Sequence, residues 1–351
     1  MASASSSIPR FIRNFISHQR NLGLFVLVTL VLAVLPLILR NNYQISVLVF
    51  IGLFTILTVG LSLLMGYAGQ VSLGHAVFYG MGGYGAALLV LRAGFPAWAA
   101  IPCAALATGV IAYLIGIPLL RLRGNYLAMA TLGLNIIFFL IVTNQTALTG
   151  GPNGLQGYGK LSLGPLIFRT DHQFYYLVWA VALIVLAVSL NIVNSRVGRA
   201  LRAIHGSEVA AETLGVNTER FKVQVLVLSA VYASLAGSLY AFWIGIVSPG
   251  DFSITFSTEL VVMVAVGGLA SVWGAIFGAA AVAVLTEFLR NFLPRLLGGA
   301  SGELQIVSFG VILMLIMIFM PEGLTSGTLI RLRTWQANPK KPGARRQENK
   351  S

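Results

Sequence analysis

Apolar runs at 22–39, 45–66, 76–91, 96–120, 125–143, 173–193, 223–247, 259–270, 274–289 and 303–320 fill most of this chain. About 20 residues of helix are needed to cross the hydrocarbon core of a bilayer, and most of these runs reach or approach that length. In lipid every backbone polar group must be satisfied within its own segment, so runs of this kind are helices. No stretch alternates with the period of two that a membrane β-barrel requires. With 57% of residues hydrophobic and 9% charged, an ordinary soluble domain is excluded. The expected fold is all-α: a polytopic integral membrane protein with about ten membrane-crossing helices, some of them short or broken.

The few charges are placed unevenly. Residues 194–222 form a polar island holding Arg196, Arg199, Arg202, Glu208, Glu212, Glu219, Arg220 and Lys222, with long apolar runs on both sides. A segment this polar must lie in water. If both termini are cytoplasmic, only Arg40, Arg92, Lys160, Arg169, Arg290 and Arg295 of the 23 Lys and Arg lie outside. That is the bias of the positive-inside rule, so the net charge of +13 reports topology rather than nucleic-acid affinity. The stretch after Arg10, Arg13 and Arg20 lacks a small-x-small cleavage site and reads as a retained first span. Cys103 is the sole cysteine, which excludes an internal disulfide and a cysteine metal cluster.

The expected organisation is one membrane domain, 21–325, between a cytoplasmic tail at 1–20 and a basic, disordered cytoplasmic tail at 326–351. The island 194–222 is its cytoplasmic loop. Segment 144–172, rich in Gly, Pro and Asn, reads as an outside loop built of turns. Residues 259–289 exceed one span and are interrupted at Gly267-Gly268-Leu269-Ala270-Ser271-Val272-Trp273-Gly274, which predicts two short helices hinged there. This break weakly resembles Gly69-Gln70-Val71-Ser72-Leu73-Gly74. Two such breaks mark either a transport path through interrupted helices or the close packing of small residues.

Two nucleotide-like strings fail on context. Gly80-Met81-Gly82-Gly83-Tyr84-Gly85 fits the dinucleotide pattern but sits inside an apolar run with no acidic residue nearby, so it reads as helix packing. Gly154-Leu155-Gln156-Gly157-Tyr158-Gly159-Lys160 has phosphate-loop spacing, yet Leu161 stands where a Ser or Thr must reach magnesium. The island carries better signals. Ser207 is placed to cap a helix starting at Glu208, Gly215 to stop it, and Asn217 to cap the next span with Glu219 in its first turn. Composition alone leaves open whether helix 208–214 docks a partner or merely connects two spans.

Arg199-Ala200-Leu201-Arg202-Ala203-Ile204 followed by Ala210-Ala211-Glu212-Thr213-Leu214-Gly215-Val216-Asn217 resembles the cytoplasmic loop of bacterial ABC-transporter permeases. It is similar to their E-A-A-x-x-x-G coupling motif, with Val209 for the first Ala and Glu208, Ala210, Ala211 and Gly215 carrying the match. Gly66-Tyr67-Ala68-Gly69-Gln70-Val71-Ser72-Leu73-Gly74-His75-Ala76, Tyr126-Leu127-Ala128-Met129-Ala130-Thr131-Leu132, Thr149-Gly150-Gly151-Pro152-Asn153-Gly154-Leu155 and Gly267-Gly268 resemble branched-chain amino acid permeases of the LivM type. The likeness covers roughly residues 20–325. It implies a subunit of the bacterial inner membrane beside a second, homologous permease, two cytoplasmic ABC ATPases and an extracytoplasmic substrate-binding protein. ATP would be used by those partners, with no cofactor bound by this chain, and Glu208, Ala210, Ala211, Glu212, Leu214 and Gly215 would carry the coupling.

The deep spans hold almost no ionisable residue, which argues against ion coupling. Glu259 and Glu303 read as helix-start carboxylates, and Glu287 is spaced to pair with Arg290. The cargo that the resemblance implies is leucine, isoleucine or valine. The alternatives are urea, short amides or sugars through a related importer, or an ion-coupled secondary transporter. A zwitterion needs hydrogen-bonding groups along its path, and Gln70, Ser72, His75, Tyr126, Thr131, Asn135 and Ser271 are the candidates. Packing or a backbone bond competes as the role of His75, as do interfacial or packing roles for Tyr126 and Trp273. No catalytic group and no metal-ligand cluster stands out.

Overall fold

A computed structural model describes residues 10–39, 41–163 and 166–296, with scattered positions between 307 and 318. Seven helical stretches among them are long and apolar enough to cross a bilayer: Asn42–Tyr67, His75–Ala93, Ala97–Leu119, Asn125–Asn144, Asp171–Asn194, Thr218–Ile244 and Val272–Asn291. Phe25–Ile38 and Ile254–Gly267 are shorter apolar helices. The last expected span, 303–320, with Glu303 and the basic tail, falls outside the described residues apart from helical positions such as Val307 and Ile318.

The helices are α1 (Arg10–Ile38), α2 (Asn42–Ser62, prolonged by a π-helical turn to Tyr67), α3 (His75–Ala93), α4 (Ala97–Leu119) and α5 (Asn125–Asn144). A one-turn α6 (Thr146–Thr149) follows, then α7 (Asp171–Asn194), α8 (Arg196–Gly206), α9 (Glu208–Thr213), α10 (Thr218–Ile244), α11 (Ile254–Gly267) and α12 (Val272–Leu296). α2 and α10 are the most buried spans. α3 and α4 pack on α10, while α7 and α12 flank α2.

Small residues let the central helices touch backbone to backbone. A Cβ on Gly82 would lie 2.1 Å from the carbonyl of Ser234, and one on Gly237 would lie 1.9 Å from that of Tyr79. The glycines of the dinucleotide-like string are therefore a helix-packing seam between α3 and α10. The phosphate-loop-like string is equally removed from nucleotide chemistry. β1 (Leu155–Gln156) pairs with β4 (Ile246–Val247), and β2 (Ser162–Leu163) with β3 (Leu166–Ile167), so a strand follows Lys160 where a helix would be required. The buried Tyr158 hydroxyl donates to the Ala241 carbonyl at 2.8 Å, which ties this loop to α10, and burial pushes its phenol pKa up.

The hinge at 268–271 is present. Gly268 adopts φ +110°, a conformation in which a side chain would be strained. Gly267 abuts Gly274 while Gly278 abuts Met263, the register of an antiparallel helical hairpin. Its tip accepts a bond from Ser62 Oγ at Leu269 O, 2.9 Å, at the end of α2 where Gly69 meets His205 of α8. From there α12 runs the length of α2, from Thr58 beside Ala275 to Tyr43 beside Asn291.

Candidate functional site

Two regions do more than cross the bundle. The first is a joint in its interior. Residues 68–74 leave α2 without helical structure, and α3 starts at His75, which is fully buried. α5 passes beside this start. Leu73 N–H donates to Thr131 Oγ1 at 3.0 Å, and Gly74 sits so close to the Thr131 carbonyl that a Cβ would approach to 2.4 Å. One turn further along α5, Asn135 Nδ2 donates to Ser257 Oγ at 2.8 Å, and Ala76 N–H donates to the same oxygen at 3.0 Å. Ser257 lies in the first turn of α11, so α3 and α11 both begin inside the bundle against α5.

This joint holds polar atoms that are buried and unpartnered among the described residues: Ser72 Oγ, both ring nitrogens of His75 and Asn135 Oδ1. Each such group costs about 1–3 kcal/mol when left unsatisfied. A neutral imidazole offers one donor and one acceptor, and Asn135 Oδ1 offers an acceptor. The N-terminus of α3 adds the positive end of a helix dipole. Such a set suits the two ends of a small zwitterion or the waters that precede it.

The other path candidates lie apart. Gln70 Nε2 donates back to Ala68 O within its own loop. Tyr126 is 74% exposed at the start of α5. Ser271 caps α12, accepting from Gly274 N–H at 3.0 Å in the hairpin tip. Two carboxylates differ from their sequence reading. α11 starts at Ile254, capped by Ser253, so Glu259 stands in its second turn rather than at its start. Glu287 accepts from Asn291 Nδ2 at 3.1 Å, one helical turn away, instead of pairing with Arg290.

The second region is the polar island. Ser207 Oγ accepts from Ala210 N–H and caps α9, Gly215 at φ +81° ends it, and Asn217 Oδ1 caps α10 through Arg220 N–H. Gly215 stands seven residues after Glu208, where the coupling motif has six. The charges of the island are not all in water. Lys222 is only 2% exposed; its Nζ donates to Glu208 Oε1 at 2.5 Å and to the Leu120 carbonyl at 3.2 Å. A long lysine stem on the first turns of α10 reaches inward to the C-terminal carbonyl end of α4, where the dipole favours a cation. Glu212 accepts from Thr218 Oγ1 at 2.7 Å, and Arg123 stands 3.9 Å from Glu208. Both acidic groups of α9 thus have partners within the loop, and Ala211 is buried, while Val209 and Leu214 (81%) are exposed. The Glu208–Lys222–Leu120 chain has no local sequence signal, since its members are brought together only by folding. Among the described residues, no group of His, Cys, Asp and Glu is placed to hold a metal ion.

Helices that stop and restart inside an apolar bundle, beside a capped polar loop fastened to two spans, define a polytopic membrane permease. Comparison with known proteins gives the family. The chain belongs to the branched-chain amino acid transport system / permease component family, which it matches over residues 43–321. The high-affinity branched-chain amino acid transport system permease protein LivM of Salmonella typhimurium is 31% identical over 90% of this chain and 78% of its own length. LivM of Escherichia coli is 32% identical over 88% of this chain and 76% of its own. LivH of Salmonella typhimurium, also a permease protein of that system, is 25% identical over 77% and 90%. No solved structure matches.

Proposed function

We propose that this chain is a permease subunit of an ATP-driven importer for leucine, isoleucine and valine in a bacterial inner membrane. The likeness to LivM over nine-tenths of the chain carries this reading. The weaker likeness to LivH supports a second, homologous permease at its side. Two cytoplasmic ATPases and an extracytoplasmic binding protein complete the assembly, and both termini and the island face the cytoplasm. On ATP binding the ATPases move α9 through its exposed Val209 and Leu214. Glu208, Lys222 and the Leu120 carbonyl pass that movement to α10 and α4, and the reorientation of the bundle opens the joint of Ser72, His75, Asn135 and Ser257 to one side and then the other.

Vesicles holding this chain, its permease partner, both ATPases and the binding protein test the reading. Uptake of leucine should need ATP and persist when proton and sodium gradients are collapsed. Uptake by this chain alone on an ion gradient overturns it, and uptake of urea or a sugar in place of leucine keeps the mechanism and replaces the cargo.

A further inference from the structure

We infer that the groove between the foot of α4 and the start of α10 seats the headgroup of an anionic phospholipid. α4 presents a stripe of exposed apolar side chains, Leu106, Val110, Tyr113, Leu114 and Ile117, in steps of three and four residues. α4 ends at Leu119, and Arg121 stands in the turn just beyond it, where apolar surface gives way to the polar end of the molecule. A groove of about 480 Å³ opens there, walled by Tyr113, Ile117 and Arg121 on one side and Asn217, Arg220 and Gln224 on the other.

Two other arginines of the polar end are engaged: Arg123 faces Glu208, and Arg202 donates to Val193 O. Arg121 and Arg220 differ, for neither guanidinium has a hydrogen bond or ion pair among the described residues. The start of α10, a 27-residue helix, adds the positive end of its dipole beside Arg220. Glu219 also lines the groove and opposes them. Two guanidiniums against one carboxylate leave a single positive charge, which matches the single negative charge of a phosphodiester. Arginine suits phosphate oxygens through its planar fork of donors. The apolar wall leading up to the groove fits glycerol and acyl chains, for which a free phosphate has no use. Charge and shape therefore favour a lipid with its chains along α4 and its phosphate between Arg121 and Arg220. This inference does not rest on which solute the protein carries.

The full chain, purified in detergent and exchanged into nanodiscs of phosphatidylglycerol or phosphatidylcholine, provides the test. After delipidation, mass spectrometry of the intact protein should find phosphatidylglycerol retained over phosphatidylcholine. Arg121→Gln/Arg220→Gln should lower that ratio by about thirtyfold, on the scale of two cations facing an anionic surface. Its melting temperature in phosphatidylcholine should equal that of the wild type, which separates lost binding from lost fold. Glu219→Gln should raise retention. Equal retention of the two lipids by the wild type overturns the inference, as does a double variant that still holds phosphatidylglycerol. Complete displacement by millimolar inorganic phosphate reassigns the groove to a free anion. Loss of the lipid whenever the two ATPases are bound reassigns it to a protein contact.

Discussion

At α9 the charged side chains turn inward and find partners, whereas at the start of α3 the polar side chains are buried and find too few. Glu208 pairs with Lys222 and Glu212 with Thr218, while the apolar Val209 and Leu214 are left exposed. Ser72, His75 and Asn135 are buried as deeply as Lys222 and Thr218 or more so, yet four of their polar atoms have no partner among the described residues. A satisfied network holds one geometry, so α9 has the build of a lever fixed to two spans. An unsatisfied one has atoms to offer, which is the reason the proposed function puts the cargo at the joint. Substitutions in the two regions should therefore separate stability from transport in opposite proportions.

The largest effect tests the frame that holds the regions apart. Gly237→Leu drives a side chain into the carbonyl of Tyr79, where even a Cβ has 1.9 Å. Overpacking commonly costs about 1–3 kcal/mol, and backbone this close leaves nothing to give. The variant should yield no monodisperse protein on size-exclusion chromatography. Wild-type yield and elution would mean that α3 and α10 lie farther apart, and the joint with them.

Next comes the lever. Lys222→Met strands the Leu120 carbonyl and leaves Glu208 only the 3.9 Å approach of Arg123; breaking a buried pair costs about 3–5 kcal/mol, at the lower end here because Glu208 keeps some solvent and that second cation. Melting should fall sharply in both Lys222→Met and Glu208→Lys. The exchange Glu208→Lys/Lys222→Glu should recover part of the loss in stability, because the pair is restored, but less of the ATP-coupled uptake. The lysine's bond to Leu120 is not remade by a carboxylate, which cannot donate to a carbonyl. Full recovery of both would reduce the link to α4 to a bystander.

Much of the lever was legible from adjacent residues. Ser207, Gly215 and Asn217 sit beside the groups they cap, so local chemistry announces them, and the hinge at Gly268 shows the same economy. Lys222 was not legible, because its partners are 14 and 102 positions away and a lysine in a polar island reads as solvated. The joint was half legible. Thr131 and Asn135 stood out as polar residues in an apolar run, and Ser72 and His75 lay in a recognisable segment. Ser257, which ties α3 to α5 and α11, gave no signal, since a serine in a membrane helix commonly bonds its own backbone. Tyr126 and Ser271 drew notice for the same polarity and lie elsewhere, because polarity marks a residue without saying which residues it meets.

A smaller effect on stability is expected at the joint. Asn135→Leu removes the donor to Ser257 and with it an orphaned acceptor, so the loss of one bond is offset by the loss of one unsatisfied atom. Stability should change by about 1 kcal/mol or less, while uptake should fall by at least tenfold if these atoms hold the cargo. The comparison is Thr108→Val, which breaks the 3.0 Å bond to Ser234 in the α4–α10 packing. It should cost similar stability and leave uptake nearly intact. Equal losses of uptake in the two variants would make the joint ordinary packing.

The smallest effect on the fold belongs to Leu214→Ser. Its side chain is 81% exposed beyond the last turn of α9, touching nothing that holds the loop together, so melting should stay within about 0.5 kcal/mol of wild type. If the outward apolar surface is what an ATPase grips, burial of a leucine is worth roughly 1.5–3 kcal/mol there, and its loss should weaken ATPase retention about tenfold or more. Co-purification of the two ATPases with the variant measures this directly. Val209→Ser should behave alike, with a smaller loss for the smaller side chain. ATPases retained as well as by the wild type in both variants would place the grip on the inward-tied carboxylates after all, and the division of α9 into a fastened inner face and a free outer face would lose its functional meaning.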